Sequence, residues 1–287
     1  MQENEKNKVE GSTLYLVGTP IGNLADMTER AKKVLSEVDF VAAEDTRNSM
    51  KLLSCFGIHT ELVSYYEHNK RESGERIVAR LIGGESCALI TDAGMPAISD
   101  PGEDLVKLCA EAGVTVRIVP GPSACVSALA LSGLSTVRFA FEGFLPAQKG
   151  ERRKRLEAVA NDDRTLIFYE APHKLRATLT DMEEIFGGER RISLCRELTK
   201  LNEEADRTTL AGAVEMYKQK EPRGEYVLVI EGGSGKVQQE NPLLSLSPED
   251  HVAHYENQGM KRMEAIKAAA KDRGMSKSEL YKLLVDA

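Results

Sequence analysis

No apolar run in this chain of 287 residues approaches the roughly 20 residues that cross a bilayer. The N-terminal stretch MQENEKNKVEGS has no apolar core of the kind a secretory signal needs. Residues 1–12 are therefore expected to form a disordered tail, and the protein to be cytoplasmic with no membrane partner. Cysteines are few and scattered. Cys55, Cys87, Cys109, Cys125 and Cys195 form no C-x-x-C pair, and four of them sit among apolar residues. That excludes a redox motif and predicts buried free thiols in a reducing compartment. The histidines show no metal-ligand spacing, and the pair His251 and His254 lies in a polar, helical-looking segment, so no metal is expected. Positive charge is not in excess either. The net charge is −7 with a pI near 5.5, which argues against indiscriminate nucleic-acid binding but leaves room for a local basic patch.

Familiar catalytic signatures are also missing. GTPIGNL, residues 18–24, is neither G-x-G-x-x-G nor G-x-x-x-x-G-K-[ST]. No G-x-S-x-G elbow occurs, and no Ser or Cys has an obvious base nearby in sequence. An ordinary dinucleotide fold, a P-loop NTPase and a covalent nucleophile are all disfavoured.

What the chain does contain is alternation. Its apolar and charged content fits a globular, soluble protein, and its length fits one large or two ordinary domains. In residues 13–135, TLYLVG, DFVAAED, SCALITD and VTVRIVPG read as strands. They are separated by amphipathic segments. DMTERAKKVLSEV reads as a helix with Asp26 at its N-cap, Glu29 three residues on, and Ala31, Val34, Leu35 and Val38 on one face. RESGERIVARLIGG and PGEDLVKLCAEAG are two more helices, each closed by glycine, and PSACVSALALSG is another. This strand–helix alternation predicts a mostly parallel sheet covered by helices. Residues 136–232 alternate again, but with more consecutive strands (RRISLCREL, EADRTTLA, GEYVLVIEGG), which predicts a mixed sheet. Residues 233–247 read as a linker by composition. Residues 248–287 read as a small helical segment, opened by Ser247 with Pro248 behind it and containing the capping box Ser276-x-x-Glu279.

The loops at the carboxyl ends of these strands are unusual, and ligands of open parallel sheets bind there. They are GTPIGNL, EDTR, TDAGMPAISDPG, PGPSA, GFLP, YEAPHK and ELTK. Proline stiffens them, glycine admits close backbone approach, and their N–H and C=O groups become ligand contacts. A ligand held largely by backbone offers many polar atoms and a flat ring, as a folded nucleoside with an amino-acid tail does.

Taken together, LYLVGTPIGNLADMTERA, AAEDTR, LITDAGMPAISDPG, VPGPSA, FEGFLP, FYEAPHK, RELTK and GEYVLVIEG resemble the tetrapyrrole-methylase superfamily. Within it they resemble the bacterial 16S ribosomal RNA methyltransferases that act on a cytidine 2′-oxygen. The resemblance covers residues 12 to 232, with the YKLL tail similar to the family's C-terminal helices. It implies two α/β domains with S-adenosylmethionine in the cleft between them, a homodimer, and 16S ribosomal RNA of the small ribosomal subunit as substrate. By the same resemblance Pro20, Ile21, Asp92, Gly94, Met95, Ser123, Ala124, Tyr169 and Glu170 are the expected cofactor contacts.

Methylating a hydroxyl requires in-line alignment and an acceptor for the proton. Candidates are Glu44, Asp45 and Arg47 in AEDTR, and Arg196, Glu197 and Lys200 in RELTK; Asp45, Arg47, Glu197 and Lys200 are taken forward as the catalytic set. Each has an alternative reading as a salt bridge. The run KGERRKR offers Arg152, Arg153 and Arg155 to RNA phosphates, against the alternative of a solvated helix face. His68 and Asn69 could bind RNA or belong to surface structure. Three other functions fit the same loops: methylation of a tetrapyrrole precursor, non-catalytic RNA binding by a ribosome assembly factor, and a cofactor-sensing interaction module.

Overall fold

The computed structural model describes residues 8–233, 243 and 246–285. The chain divides into two compact units, Met1–Gly232 and Gly233–Ala287. In the first unit β1 (Thr13–Val17), α1 (Glu29–Glu37), β2 (Phe40–Ala43), α2 (Thr46–Cys55), β3 (Glu61–Ser64), α3 (Lys70–Ile82), β4 (Ser86–Ile90), α4 (Gly102–Glu111), β5 (Thr115–Val119) and α5 (Ala124–Ser132) follow one another. Their strands form one parallel sheet in the order β3-β2-β4-β1-β5. β2 and β4 are buried at every position, as central strands covered on both faces must be. Val34, Leu35, Val41 and Ile90 pack on one face of the sheet, and Phe40, Ile77, Leu89 and Leu105 on the other.

The same unit continues with β6 (Phe139–Phe144), α6 (Lys149–Val159), β7 (Thr165–Glu170), α7 (Pro172–Phe186), β8 (Arg191–Arg196), β9 (Glu204–Thr209), α8 (Leu210–Gln219) and β10 (Tyr226–Ile230). This second sheet has the order β6-β7-β10-β8-β9. Only β6 and β7 are parallel; β10 runs antiparallel to both its neighbours, and β8 to β9. Leu156, Leu175, Leu179 and Leu210 cover one face. The other face is covered by α5: Cys125, Ala128 and Leu129 pack on Ile167, Cys195, Val227 and Val229. α5 follows the first sheet in sequence yet packs on the second, which joins the two sheets and sets the cleft between them.

In the second unit α9 (Pro248–Asn257), α10 (Arg262–Asp272) and α11 (Lys277–Val285) enclose Val252, Ile266, Ala269 and Leu280. Ser247 caps α9 through Asp250 N–H at 3.1 Å. Ser276 and Glu279 cap α11 reciprocally, at 3.3 and 2.7 Å.

Several local features differ from the sequence reading. α1 is capped by Thr28, whose hydroxyl accepts from Ala31 N–H at 3.1 Å, because Asp26 is held in a short 3-10 turn, Leu24–Asp26, capped by Asn23. α2, β3 and α8 lack a clear signal in the residues. α2 buries only Ser49 and Leu53, β3 is a four-residue edge strand that is never fully buried, and α8 starts directly where β9 ends, on the cap Thr209. Of the expected tail, residues 1–7 lie outside the described residues. Val9 packs against the first core, and Ser12 N–H donates to Glu85 O at 2.8 Å. Of the expected linker, 234–242, 244 and 245 lie outside the described residues. Cys87, Cys109, Cys125 and Cys195 are buried and free, and Cys55 is exposed. Among the described residues no helix is long and apolar enough to cross a membrane.

Candidate active site

The loops after β1, β4 and β5 are laced together by backbone. Thr19 and Gly94 exchange two hydrogen bonds, at 2.9 and 3.1 Å, and the Thr19 hydroxyl donates to Thr91 O at 3.1 Å. Gly18 lies so close to Gly121 that a Cβ on Gly18 would be 2.7 Å from the Gly121 Cα and 2.7 Å from the Met95 sulfur. Only glycine permits that approach. The Gly121 N–H in turn donates to Met95 Sδ at 3.2 Å. The breaker-rich sequences are thus a rigid rim at the carboxyl edge of the first sheet.

Between this rim and the second sheet lies a cavity of about 520 Å³, within the range of small-molecule sites. Of the expected cofactor contacts, Ile21, Gly94, Met95, Ser123, Ala124, Tyr169 and Glu170 line it. Pro20 and Asp92 do not. They line an adjacent hollow of about 210 Å³ with Asn48, and Thr91 borders both. Asp92 is turned toward α2, where Asn48 Nδ2 donates to it at 3.2 Å. Asp92, an expected cofactor contact, thus borders the smaller hollow rather than the main cavity, its carboxylate held by Asn48.

Other residues supply the negative charge. Glu44 and Asp100 both line the cavity. Asp100 Oδ1 accepts from Ala97 N–H and Gly102 N–H at 3.0 and 2.7 Å, while its Oδ2 is buried with no partner. Ala97 and Ser99 hold φ of 67° and 63°, left-handed values that cost a non-glycine residue about 1–3 kcal/mol. The wall here is shaped against local preference. Glu44 accepts from the Thr91 hydroxyl at 3.1 Å. Partial removal from water, abetted by Asp92, Asp100 and Asp45, raises its pKa above the usual carboxylate value despite that bond.

From the second sheet, Tyr169 presents its ring to the cavity, edge-on to Phe141 and Phe144. Its hydroxyl accepts from Cys125 N–H at 3.1 Å, and burial pushes its pKa up to about 12. Glu170 is buried, and its carboxylate is engaged by Ala171 N–H at 2.8 Å and the Thr178 hydroxyl at 2.5 Å, so it braces the loop into α7.

The four expected catalytic residues form two separate pairs. Asp45 caps α2: it accepts from Arg47 N–H at 2.8 Å, Asn48 N–H at 3.4 Å and the Arg47 guanidinium at 3.1 Å. The Arg47 bond chiefly lowers its pKa. Glu197 accepts from Lys200 Nζ at 2.9 Å, and Lys200 also reaches Glu225 at 2.8 Å. The Lys200 bond holds Glu197 below its ordinary value. Burial works to lower the Lys200 ammonium, but Glu225 and Glu197 outweigh it and raise its pKa. Glu197 and Thr199 adopt φ of 53° and 66°, and Leu198 between them lines the cavity. A Cβ on Gly22 would lie 2.5 Å from Lys200 Cγ, so RELTK presses on the loop after β1. Arg196 is spent on Glu204, at 3.0 Å.

The arginines of α6 require a correction. Arg152 is only 6% exposed, and its guanidinium binds Asp181 at 2.7 Å and Ala147 O at 3.2 Å. It anchors α6 to α7 and is not available to RNA. Arg153 pairs with Asp181 and Glu184, and Arg155 with Glu142. The run mixes a structural anchor with a paired surface, a distinction invisible in a string of like charges. Asn69 is likewise spent on its own turn, accepting from Tyr66 N–H at 2.8 Å and donating to Ser64 O. Asp100, Phe144, Leu198 and Glu225 also line the cavity, although the sequence reading assigns them no role there. All four lie inside loop or strand motifs quoted from the sequence, so the motif was the signal; which of its side chains turned inward was not.

Residues 13–214 match the family model of tetrapyrrole (corrin/porphyrin) methylases. The chain is 50% identical to ribosomal RNA small subunit methyltransferase I of Halalkalibacterium halodurans, covering 98% of each. It is 45% identical to that of Bacillus subtilis, over 98% of this chain and 96% of the relative. The identity is 40% to that of Escherichia coli O157:H7, over 100% and 99%. Among solved structures it resembles diphthine synthase, with a TM-score of 0.60 at 16% identity, covering 77% of this chain and 90% of the other. It also resembles uroporphyrin-III C-methyltransferase of Thermus thermophilus, with a TM-score of 0.55 at 20% identity, over 77% and 94%. These two likenesses concern the fold.

Proposed function

We propose, because the chain belongs to the tetrapyrrole methylases and within them to the ribosomal RNA small subunit methyltransferase I family, that it transfers a methyl group from S-adenosylmethionine to a cytidine ribose 2′-oxygen of 16S ribosomal RNA. The observation that carries this reading is the acidic, backbone-rimmed cavity at the carboxyl edge of the first sheet. Its volume suits a nucleoside with an amino-acid tail. Its carboxylates Glu44 and Asp100 suit a ligand bearing a sulfonium and an ammonium. Asp100 is fixed at the cavity wall by the Ala97 and Gly102 N–H groups.

When bound, S-adenosylmethionine supplies an electrophilic methyl carbon. The rim of Ile21, Gly94, Met95, Ser123 and Ala124 would hold it in place, and Tyr169 would close the pocket from the second sheet. Within AEDTR we assign the proton acceptor to Glu44 rather than to Asp45. Glu44 lines the cavity and has a raised pKa, whereas Asp45 is committed to capping α2 and to Arg47. As the O–methyl bond forms, the methyl–sulfur bond would break and release neutral S-adenosylhomocysteine, and the ribose hydroxyl proton would pass to the Glu44 carboxylate. Glu197 and Lys200 act as a positioning pair that sets the RELTK loop against Gly22.

The same reading places the protein in the cytoplasm as a homodimer acting on the small ribosomal subunit. The relatives at 40–50% identity carry the name of a ribosomal RNA methyltransferase along their whole length, which favours this substrate over a tetrapyrrole. The test is transfer of labelled methyl groups to purified small subunits, followed by digestion to nucleosides. Label in 2′-O-methylcytidine is the expected outcome. Label appearing only in a tetrapyrrole precursor, or nowhere, would overturn the assignment. Sedimentation at micromolar concentration tests the dimer.

A further inference from the structure

We infer that the α10–α11 pair of the second unit is an RNA-docking module, with a lysine face for phosphates and Tyr281 as a stacking platform. The inference rests on the reading of the substrate as RNA. α10 and α11 are joined by the four residues 273–276, with Gly274 at φ 67° in open space and Ser276 capping the second helix. Such a helix–turn–helix, braced by a third helix, is a common way of presenting one helix to a nucleic acid. Here α9 is the brace. His251 is fully buried and bonds Asp272 at 3.2 Å through Nε2 while accepting from Arg273 Nε at 3.1 Å through Nδ1. Tyr255 also donates to Asp272, at 2.5 Å. Asp272 and Arg273 at the end of α10 are thereby tied to α9, which fixes the turn.

Charge is distributed unevenly over this unit. Lys261, Lys267, Lys271, Lys277 and Lys282 are all exposed, and none makes an ion pair among the described residues. Elsewhere most basic side chains are paired: Lys70, Arg80, Arg152, Arg176 and Lys220 each hold at least one carboxylate. The acids on the two helices are partly occupied, Asp272 by α9 and Glu279 by Ser276 N–H, which leaves Glu264 as the exposed acid of α10. A chain of net charge −7 thus keeps a local set of lysines unneutralised.

Geometry adds a second argument. Leu280 is buried and Leu284 half-buried, fixing the inner side of α11. At about 100° per residue, Lys277, Tyr281, Ser278 and Lys282 then follow one another around an exposed flank roughly 140° wide, running from the edge of the inner side at Lys277 to the opposite side at Lys282. Lys267 and Lys271 form one ridge of α10. Tyr281 is 50% exposed, between lysines. An exposed aromatic flanked by cations suits a nucleotide chain, in which phosphates and base faces alternate. RNA offers its bases where they are unpaired.

The test uses the full chain with Lys267, Lys271, Lys277 and Lys282 changed together to Gln, which preserves helix propensity. A second variant is Tyr281→Ala. Binding to purified small subunits and to a plain RNA hairpin is measured across a salt series, alongside steady-state methyl transfer, cofactor affinity and circular dichroism. The lysine variant should flatten the log K versus log salt slope by about 0.7–0.9 for each phosphate it no longer neutralises. It should raise KM for the subunit several-fold, leaving kcat, cofactor affinity and helix content unchanged. Tyr281→Ala should weaken binding without changing the slope. An unaltered slope and KM in a folded lysine variant would overturn the inference, as would a face that binds phosphatidylserine vesicles but not RNA. If the unmodified protein methylates no small subunits, the proposed activity fails, while the salt slope on the hairpin still decides the docking face.

Discussion

The Tyr169 hydroxyl accepts a hydrogen bond from the backbone N–H of Cys125 at 3.1 Å. Tyr169 is on β7 of the second sheet and Cys125 is in the first turn of α5, which follows the first sheet. One bond therefore satisfies an amide that a helix start leaves without an intrahelical partner, and ties the far wall of the cavity to the loop that contributes Ser123 and Ala124. Replacing Tyr169 by Phe keeps the ring against Phe141 and Phe144 but leaves that amide unpaired. We expect a loss of about 1–3 kcal/mol in stability and weaker cofactor binding, read by denaturant titration and calorimetry. Wild-type values in both would mean that the bond does not organise the site.

Gly18 and Gly121 make a sharper prediction. A methyl group on Gly18 meets backbone, the Gly121 Cα at 2.7 Å, and backbone cannot rotate away as a side chain can. Gly18→Ala should destabilise by about 1–3 kcal/mol and displace Met95 from the cavity wall. Thermal melting reports the first effect and cofactor titration the second. A variant that melts and binds normally would show that the rim tolerates separation.

Glu44 predicts a pH dependence. A carboxylate accepts a proton only when ionised, so turnover should fall as pH drops through its pKa. That pKa is raised, chiefly by removal from water and further by neighbouring acids, so the acidic limb should lie above the ordinary glutamate range. Glu44→Gln should reduce kcat by roughly 10²–10⁴-fold and abolish that limb. Retention of the limb in Glu44→Gln would assign it to another group.

Asp181 separates structural from RNA-facing arginines. It is shared by Arg152 and Arg153 inside the α6–α7 contact. Asp181→Ala leaves the Arg152 guanidinium buried without its carboxylate, a loss of about 3–5 kcal/mol. Chemical denaturation should show it, and RNA affinity of the folded variant should hold. A stable variant with altered RNA affinity would restore the α6 arginines to the RNA surface.

Much of this molecule was legible in its residues alone. Strands such as SCALI and YVLVI are continuous apolar runs because both faces are covered. Glycine, proline and acceptor side chains cluster between them because the turns need forced backbone shapes. These are local demands, and a sequence states them directly. They suffice for the α/β class, for the strand-end loops and, through the motifs those loops share with a family, for the cofactor.

The tertiary structure decided which side chain each loop turns inward. Glu44 and Asp45 are adjacent, yet one lines the cavity and the other caps α2, because the chain passes from strand to helix between them. Asp92 borders the smaller hollow, where its carboxylate accepts from Asn48, 44 positions away in the chain. Arg152 is buried and Lys277 exposed, although both sit in basic helical segments, because Asp181 arrives from another helix to receive the first and, among the described residues, no acid arrives for the second. Orientation and pairing of this kind depend on partners distant in the chain, and those partners are in place only once the sheets have assembled.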